Sequence, residues 1–113
     1  MDPITIMGII IASVLGGILL FMFGKLTINV IKKIRQNVKA KAAVIEMKSF
    51  IAQAVNDPEA KKISWSDLDR IEALVAEIDE NSNVKKITAY SEVDKETEQL
   101  LKSADNGIVL VED

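Results

Sequence analysis

Residues 4–24 read ITIMGIIIASVLGGILLFMFG, and none of these 21 consecutive side chains is charged. As an α-helix rising ~1.5 Å per residue, the stretch would be ~31 Å long, which matches the ~30 Å hydrocarbon core of a bilayer. No lysine or arginine precedes it, and the run is longer than the apolar region of a cleaved signal peptide. The sequence therefore predicts an uncleaved transmembrane anchor over residues 1–24.

Charge is distributed unevenly along the chain. Residues 25–48 hold seven Lys or Arg against one Glu, a net charge of +6, whereas residues 49–113 hold seven against fifteen Asp or Glu, a net charge of −8. Basic residues that directly follow a span are retained on the cytoplasmic side. The expected protein is single-pass, with its N-terminus outside and its C-terminus in the cytoplasm or its equivalent, in a cell or virion inner membrane.

Small residues recur at four-residue spacing within this stretch, which places them on one helix face. A second helix can approach such a face closely, so the spacing predicts a seam for self-association or for another transmembrane helix. The alternative is that glycine is simply common in membrane helices. The predicted seam consists of Gly8, Ala12, Gly16 and Gly17.

Residues 25–55 contain no Pro or Gly, and their apolar residues recur at helical spacing. They predict that the membrane helix continues as a basic amphipathic helix of ~45 Å. Its cations suit an anionic lipid surface, whereas nucleic acid is disfavoured because no aromatic side chain lies between Lys25 and Ser49 to stack on bases. The predicted membrane-surface residues are Lys25, Lys32, Lys33, Arg35, Lys39 and Lys41.

Residues 56–113 predict a small, acidic, mostly helical domain. A helix is expected over residues 65–80, with an exposed apolar face that binds a soluble protein partner. A strand over 87–93, a helix over 92–104 and a strand over 108–111 form an α+β alternative at the C-terminus. The predicted partner-binding residues are Trp65, Leu68, Ile71, Leu74, Val75 and Ile78.

Cysteine and histidine are both absent, which removes disulfides, the usual zinc sites and the commonest acid-base groups. Asp79, Asn81 and Asn83 match the start of a calcium loop, but Val84 and Tyr90 stand where that loop needs Gly and Glu. No catalytic residue, metal site or cofactor is predicted. The chain is therefore not expected to be an enzyme.

The predicted fold is mainly α: a single N-terminal transmembrane helix, a basic amphipathic helix and a small helical cytoplasmic part. This order resembles that of some single-span phage holins and of small membrane proteins of icosahedral viruses with an internal bilayer. The favoured function is a structural or assembly protein that anchors a soluble partner or a protein lattice, such as a viral capsid, to a bilayer. The alternatives are a holin-like membrane-permeabilising protein and a small regulatory subunit of a membrane complex.

Overall fold

A computed structural model describes residues 3–17, 20–37, 41–58, 69–81 and 83–111 of the chain. The strands are β1 (Leu20–Leu26), β2 (Lys41–Glu46), β3 (Ala73–Ile78), β4 (Val84–Val93) and β5 (Ile108–Val111). The helices are α1 (Pro3–Leu15), α2 (Ile28–Asn37), α3 (Met47–Ala54) and α4 (Lys95–Ser103), and a 3-10 turn at Asp105–Gly107 precedes β5. The strands form one sheet in the order β1-β4-β3-β2-β5.

Three of the strands run in the same direction. β1 pairs in parallel with β4, β4 pairs antiparallel with β3, and β3 pairs antiparallel with β2. β1, β4 and β2 are therefore parallel to one another, and β5 runs antiparallel along the outer side of β2. β1 and β5 form the two edges of the described sheet.

The central strands are buried on both faces, with helices above and below them. Alternate residues of β2 point in opposite directions, so Ala43 and Ile45 pack with α1 and α3, whereas Ala42 and Val44 pack with α2 and α4. We call these the α1/α3 layer and the α2/α4 layer. The side chains that α1 buries in its layer are Ile6, Met7, Ile10 and Ile11.

Helix α1 ends well before the uncharged stretch does. Gly17 has φ +90°, a left-handed conformation that favours glycine, and its N–H donates to the carbonyl of Val14. At 13 residues α1 is only ~20 Å long, and β1 already begins at Leu20. Within the described ranges, no helix has the length and apolar character needed to cross a membrane. The predicted transmembrane anchor over residues 1–24 is wrong, and so is the single-pass topology that depended on it.

The continuous basic helix predicted over residues 25–55 is also wrong, since this segment forms part of β1, then α2, β2 and α3. The prediction failed at β2 because four successive residues of KAAVIE are buried, so no period-two alternation is visible in the sequence. The same pattern explains the helix predicted over residues 65–80. There the sequence ALVAEI forms β3 instead, with residues buried on both faces of the sheet.

The mainly α fold class is therefore wrong, and the described residues form an α+β fold. The C-terminal alternative was closer to the structure. The strand predicted over residues 108–111 is confirmed as β5, and the strand predicted over 87–93 lies within β4. The helix predicted over 92–104 is α4, which begins three residues later than expected.

Candidate functional site: the outer face of helix α1

The outer face of α1 bears no charged side chain. Thr5, Gly8 and Ala12 are exposed there, and Ile9 and Ser13 are half-buried beside them. The Ser13 hydroxyl donates to the carbonyl of Ile9 at 2.9 Å, so the polar group is satisfied within the helix. A Cβ atom added to Gly8 would meet no other atom within 4 Å. The face is therefore uncharged and partly apolar, built mostly from small side chains, and open at Gly8.

The predicted seam residues lie together at the surface. Gly8 and Ala12 lie on the outer face of α1, and Gly16 and Gly17 follow at its C-terminal end, all four exposed. Gly16 also continues the helical hydrogen bonding, because its N–H donates to the carbonyl of Ala12 at 3.0 Å. That these residues pack against another helix stays a prediction.

A groove of about 230 Å³ lies beside α1. One wall is formed by α1, another by Gln53 of α3, and Asn106 closes it just before β5. None of these lining residues is charged. The uncharged surface of α1 therefore continues across the groove to the beginning of the edge strand β5. The described lining residues are Met7, Gly8, Ile11, Gln53 and Asn106.

The predicted membrane-surface residues do not share one helix face. They are divided among three elements, and the exposed cations of α2 point away from the sheet. Lys39 lies outside the described residues. The others are Lys25 on β1, Lys32, Lys33 and Arg35 on α2, and Lys41 at the start of β2.

The predicted partner-binding residues do not form an exposed stripe. Trp65 and Leu68 lie outside the described residues. The other four lie in β3 or just before it, and they are buried in the protein's own core on both sides of the sheet. Their exposed fractions are 8% for Ile71, 1% for Leu74, 3% for Val75 and 4% for Ile78.

A charged cleft of about 640 Å³ lies where β1, β4 and β2 end. Ligands often bind beyond the carboxyl ends of parallel strands. No group of three carboxylates within the described ranges could hold a metal ion. The charged side chains at its rim include Lys25, Glu46, Lys48, Glu92, Glu98 and Lys102.

The ion pair in this cleft does not suit acid-base catalysis. Lys102 donates to Glu98 at 2.7 Å. This hydrogen bond holds the pKa of Glu98 below its ordinary value and the pKa of Lys102 above its ordinary value. A general acid or base works best with a pKa near the operating pH, whereas these two groups both stay charged at neutral pH. The pair therefore contributes charge and not proton transfer.

Asp94 is a connecting residue that the sequence analysis missed. Its carboxylate accepts from the N–H of Thr97 in α4 at 2.9 Å and from the N–H of Ile28 in α2 at 3.1 Å. The pKa of Asp94 is lowered chiefly by the Thr97 side chain, although that hydroxyl makes no hydrogen bond of standard geometry, and further by the two N–H groups, while partial burial opposes the shift. The available signal was an Asp placed three residues before a Thr at a helix start.

Comparison with known proteins adds no relative from which a site could be transferred. No family model, no curated protein and no solved structure matches the chain.

Proposed function

We propose that the chain is a structural or assembly module, not an enzyme, and that it binds a second copy of itself through the outer face of α1. The supporting observation is the absence of charge on this face. Acidic and basic residues make up 27% of the chain, yet none lies between Asp2 and Lys25. The centre of a protein interface is depleted of charged residues in the same way.

The other surface helices show what an ordinary solvent-facing side looks like in this protein. α2 exposes Lys32, Lys33 and Arg35 on its outer face. α4 exposes residues of both signs, including the Glu98–Lys102 pair. α1 packs on the sheet as these helices do, but its exposed side is uncharged and partly apolar. Among these three helices, the described outer face of α1 therefore differs in its lack of charge.

A second copy of the chain fits this face better than a charged partner does. The whole chain has a net charge of −3, and residues 49–113 alone carry −8, so contacts between the acidic segments of two copies are unfavourable. Paired α1 helices bring no charged side chains together. The small residues Gly8 and Ala12 also let two helix backbones approach closely. In a two-fold dimer, the same surface patch of each subunit forms the two sides of the interface.

The test is the association of the full chain as its concentration is raised, followed by analytical ultracentrifugation. The Ala12→Lys variant places a lysine on the exposed face of α1, and in a two-fold dimer the new charge would face its symmetry mate. We expect its dimer dissociation constant to rise by roughly tenfold or more. The Gln36→Lys variant adds the same charge to an exposed position on α2 and should associate as the wild type does.

Two results would overturn this function. One is a wild-type chain that stays monomeric up to its solubility limit. The other is a dimer that Ala12→Lys and Gln36→Lys weaken equally, because net charge and not the α1 face would then control association. Circular dichroism of both variants shows whether the fold is retained.

A further inference from the structure

Strand β5 is an edge without the usual protection. It is hydrogen-bonded to β2 on one side, and among the described residues no strand pairs with its other side. Its four residues, IVLV, include no charge and no proline, and its pairing with β2 runs without a bulge. Edge strands of this composition present free N–H and C=O groups that pair readily with another strand.

The opposite edge, β1, differs in charge and in the regularity of its pairing. β1 has a register shift between Met22 and Lys25, and Lys25 is an exposed charge on the strand. Bulges and edge lysines are two of the devices that prevent strand addition. Of the two sheet edges, β5 is therefore the one available for pairing.

The outer face of α1 is too small to hold a dimer alone. A helix of 13 residues is ~20 Å long and ~10 Å wide, which gives a projected face of ~200 Å². A specific, stable interface buries ~800 Å² on each partner. A dimer formed through α1 therefore needs additional surface next to it.

The adjoining surface leads to β5. α1 packs against β5 and against the turn at Asp105–Gly107. The uncharged groove beside α1 reaches from Gly8 to Asn106, two residues before β5 begins. Residues 106–111 are all uncharged, with Asp105 before them and Glu112 and Asp113 after them, so the part of this edge without like charges is limited to these six residues.

We infer that the second copy docks on β5 as well as on α1, with the two β5 strands paired antiparallel across the two-fold axis. This inference rests on the proposed self-association and names its geometry. Two five-stranded sheets would join into one sheet of ten strands. The free N–H and C=O groups of each edge would satisfy those of the other, and the half-buried Val109 and Leu110 would become covered.

Single-cysteine crosslinking tests this geometry, because the chain has no cysteine of its own. Full-length Val109→Cys and Leu110→Cys chains would be oxidised mildly, each by itself and as an equimolar mixture. The mixture detects a register in which residue 109 of one copy lies opposite residue 110 of the other. Paired strands hold opposed residues within the Cα separation that a disulfide accepts. We expect most of at least one sample to become covalent dimer, while Lys25→Cys on the opposite edge gives only background.

A second measurement avoids substitution in β5. Amide hydrogen exchange at residues 108–111 should slow as the wild-type concentration is raised and should not change in Ala12→Lys. If the chain dimerises but β5 neither crosslinks nor gains protection, the strand pairing is wrong and the α1 function stands. If no dimer forms at all, both are wrong. If Lys25→Cys crosslinks instead, the pairing uses the β1 edge and the inference about β5 is wrong.

Discussion

The two helical layers are attached to the same sheet by different physical means. In the α1/α3 layer, the side chains that α1 buries are all apolar, and α3 lies close to the backbone at Gly107, just before β5. In the α2/α4 layer, apolar contacts are supplemented by Asp94, which accepts hydrogen bonds from the first turns of both helices. One layer therefore depends on shape, and the other depends in part on a carboxylate.

The outer surfaces of the two layers also differ, in this case in their charge. Helices α2 and α4 keep charges towards water, as amphipathic helices usually do. Helix α1 buries four large side chains and shows small, uncharged residues outside. The absence of charge on the outer face of α1 is the reason that we propose association through this helix and not through α2 or α4.

The largest effect is expected from removing a buried side chain of α1. Ile10 is fully buried, so Ile10→Ala should leave a cavity and lower the free energy of unfolding by about 2–5 kcal/mol. Ile31→Ala, at a position 6% exposed on α2, is the matched substitution in the other layer and should cost a similar amount. Urea denaturation of both variants measures the two losses. If α1 did not pack on the sheet, Ile10→Ala would leave the free energy of unfolding unchanged, whereas Ile31→Ala would still lower it.

A smaller loss is expected at the tight approach within the α1/α3 layer. Gly107 has φ +65°, and an added Cβ would lie 2.7 Å from the Cβ of Ser49 on α3. Gly107→Ala should therefore lower the free energy of unfolding by about 1–3 kcal/mol through backbone strain. The displacement of α3 that relieves the overlap with Ser49 adds a further cost. Gly24→Ala is the control, since its Cβ would meet nothing within 4 Å and its φ is not positive. Equal melting temperatures for the two variants would contradict the close approach.

The stability contributed by Asp94 in the α2/α4 layer should depend on pH. The pKa of Asp94 is lowered in the folded state, so its ionised form stabilises the fold above the unfolded pKa, and this contribution is lost as the pH falls through the folded pKa. Asp94→Asn should be less stable than the wild type at neutral pH. The difference should shrink below about pH 4. Thermal melts between pH 7 and pH 3 measure it.

Glu96→Gln removes a charge from the first turn of the same helix and serves as the control. It keeps both hydrogen bonds of Asp94, so its melting temperature should follow the wild type more closely across the pH range. A constant gap between Asp94→Asn and the wild type at every pH would mean that the shape of the residue, and not its charge, joins the two helices.

Sequence reasoning located the C-terminal elements better than the central strands β2 and β3. β5 follows Gly107 as a short apolar run and was predicted with its correct bounds. β2 and β3 were predicted as helix, because strands buried on both faces lose their alternation and their alanines favour helix when considered alone. Propensity and periodicity describe one element at a time, whereas these strands exist because neighbouring strands and helices cover them.

The candidate site was only partly predictable for a related reason. Gly8, Ala12, Gly16 and Gly17 were selected by their spacing, and the structure places all four at the surface. The sequence could not show that the helix ends at Leu15 and that β1 follows, because an uncharged run has the same composition whether it is one long helix or a helix and a strand. The edge at β5 depends on strand order, which no local pattern contains.

The smallest effect is expected from removing an exposed charge, such as that of the ion pair on α4. Lys102 and Glu98 form an ion pair one turn apart on α4, in the favourable order for a helix, with the acid N-terminal to the base. Their side chains are 67% and 48% exposed, so water and salt screen the attraction, and holding both side chains in one geometry costs entropy. Lys102→Ala should therefore leave the melting temperature within experimental reproducibility, as should Lys33→Ala on α2.

Neither variant should alter dimerisation, whereas Ala12→Lys should weaken it. A charge is costly where a partner must exclude water, and it is nearly neutral where water remains. Sedimentation and thermal melts of these three variants, in low and in physiological salt, compare the two surfaces directly. A Lys102→Ala chain that lost the dimer would move the interface from α1 to the charged cleft.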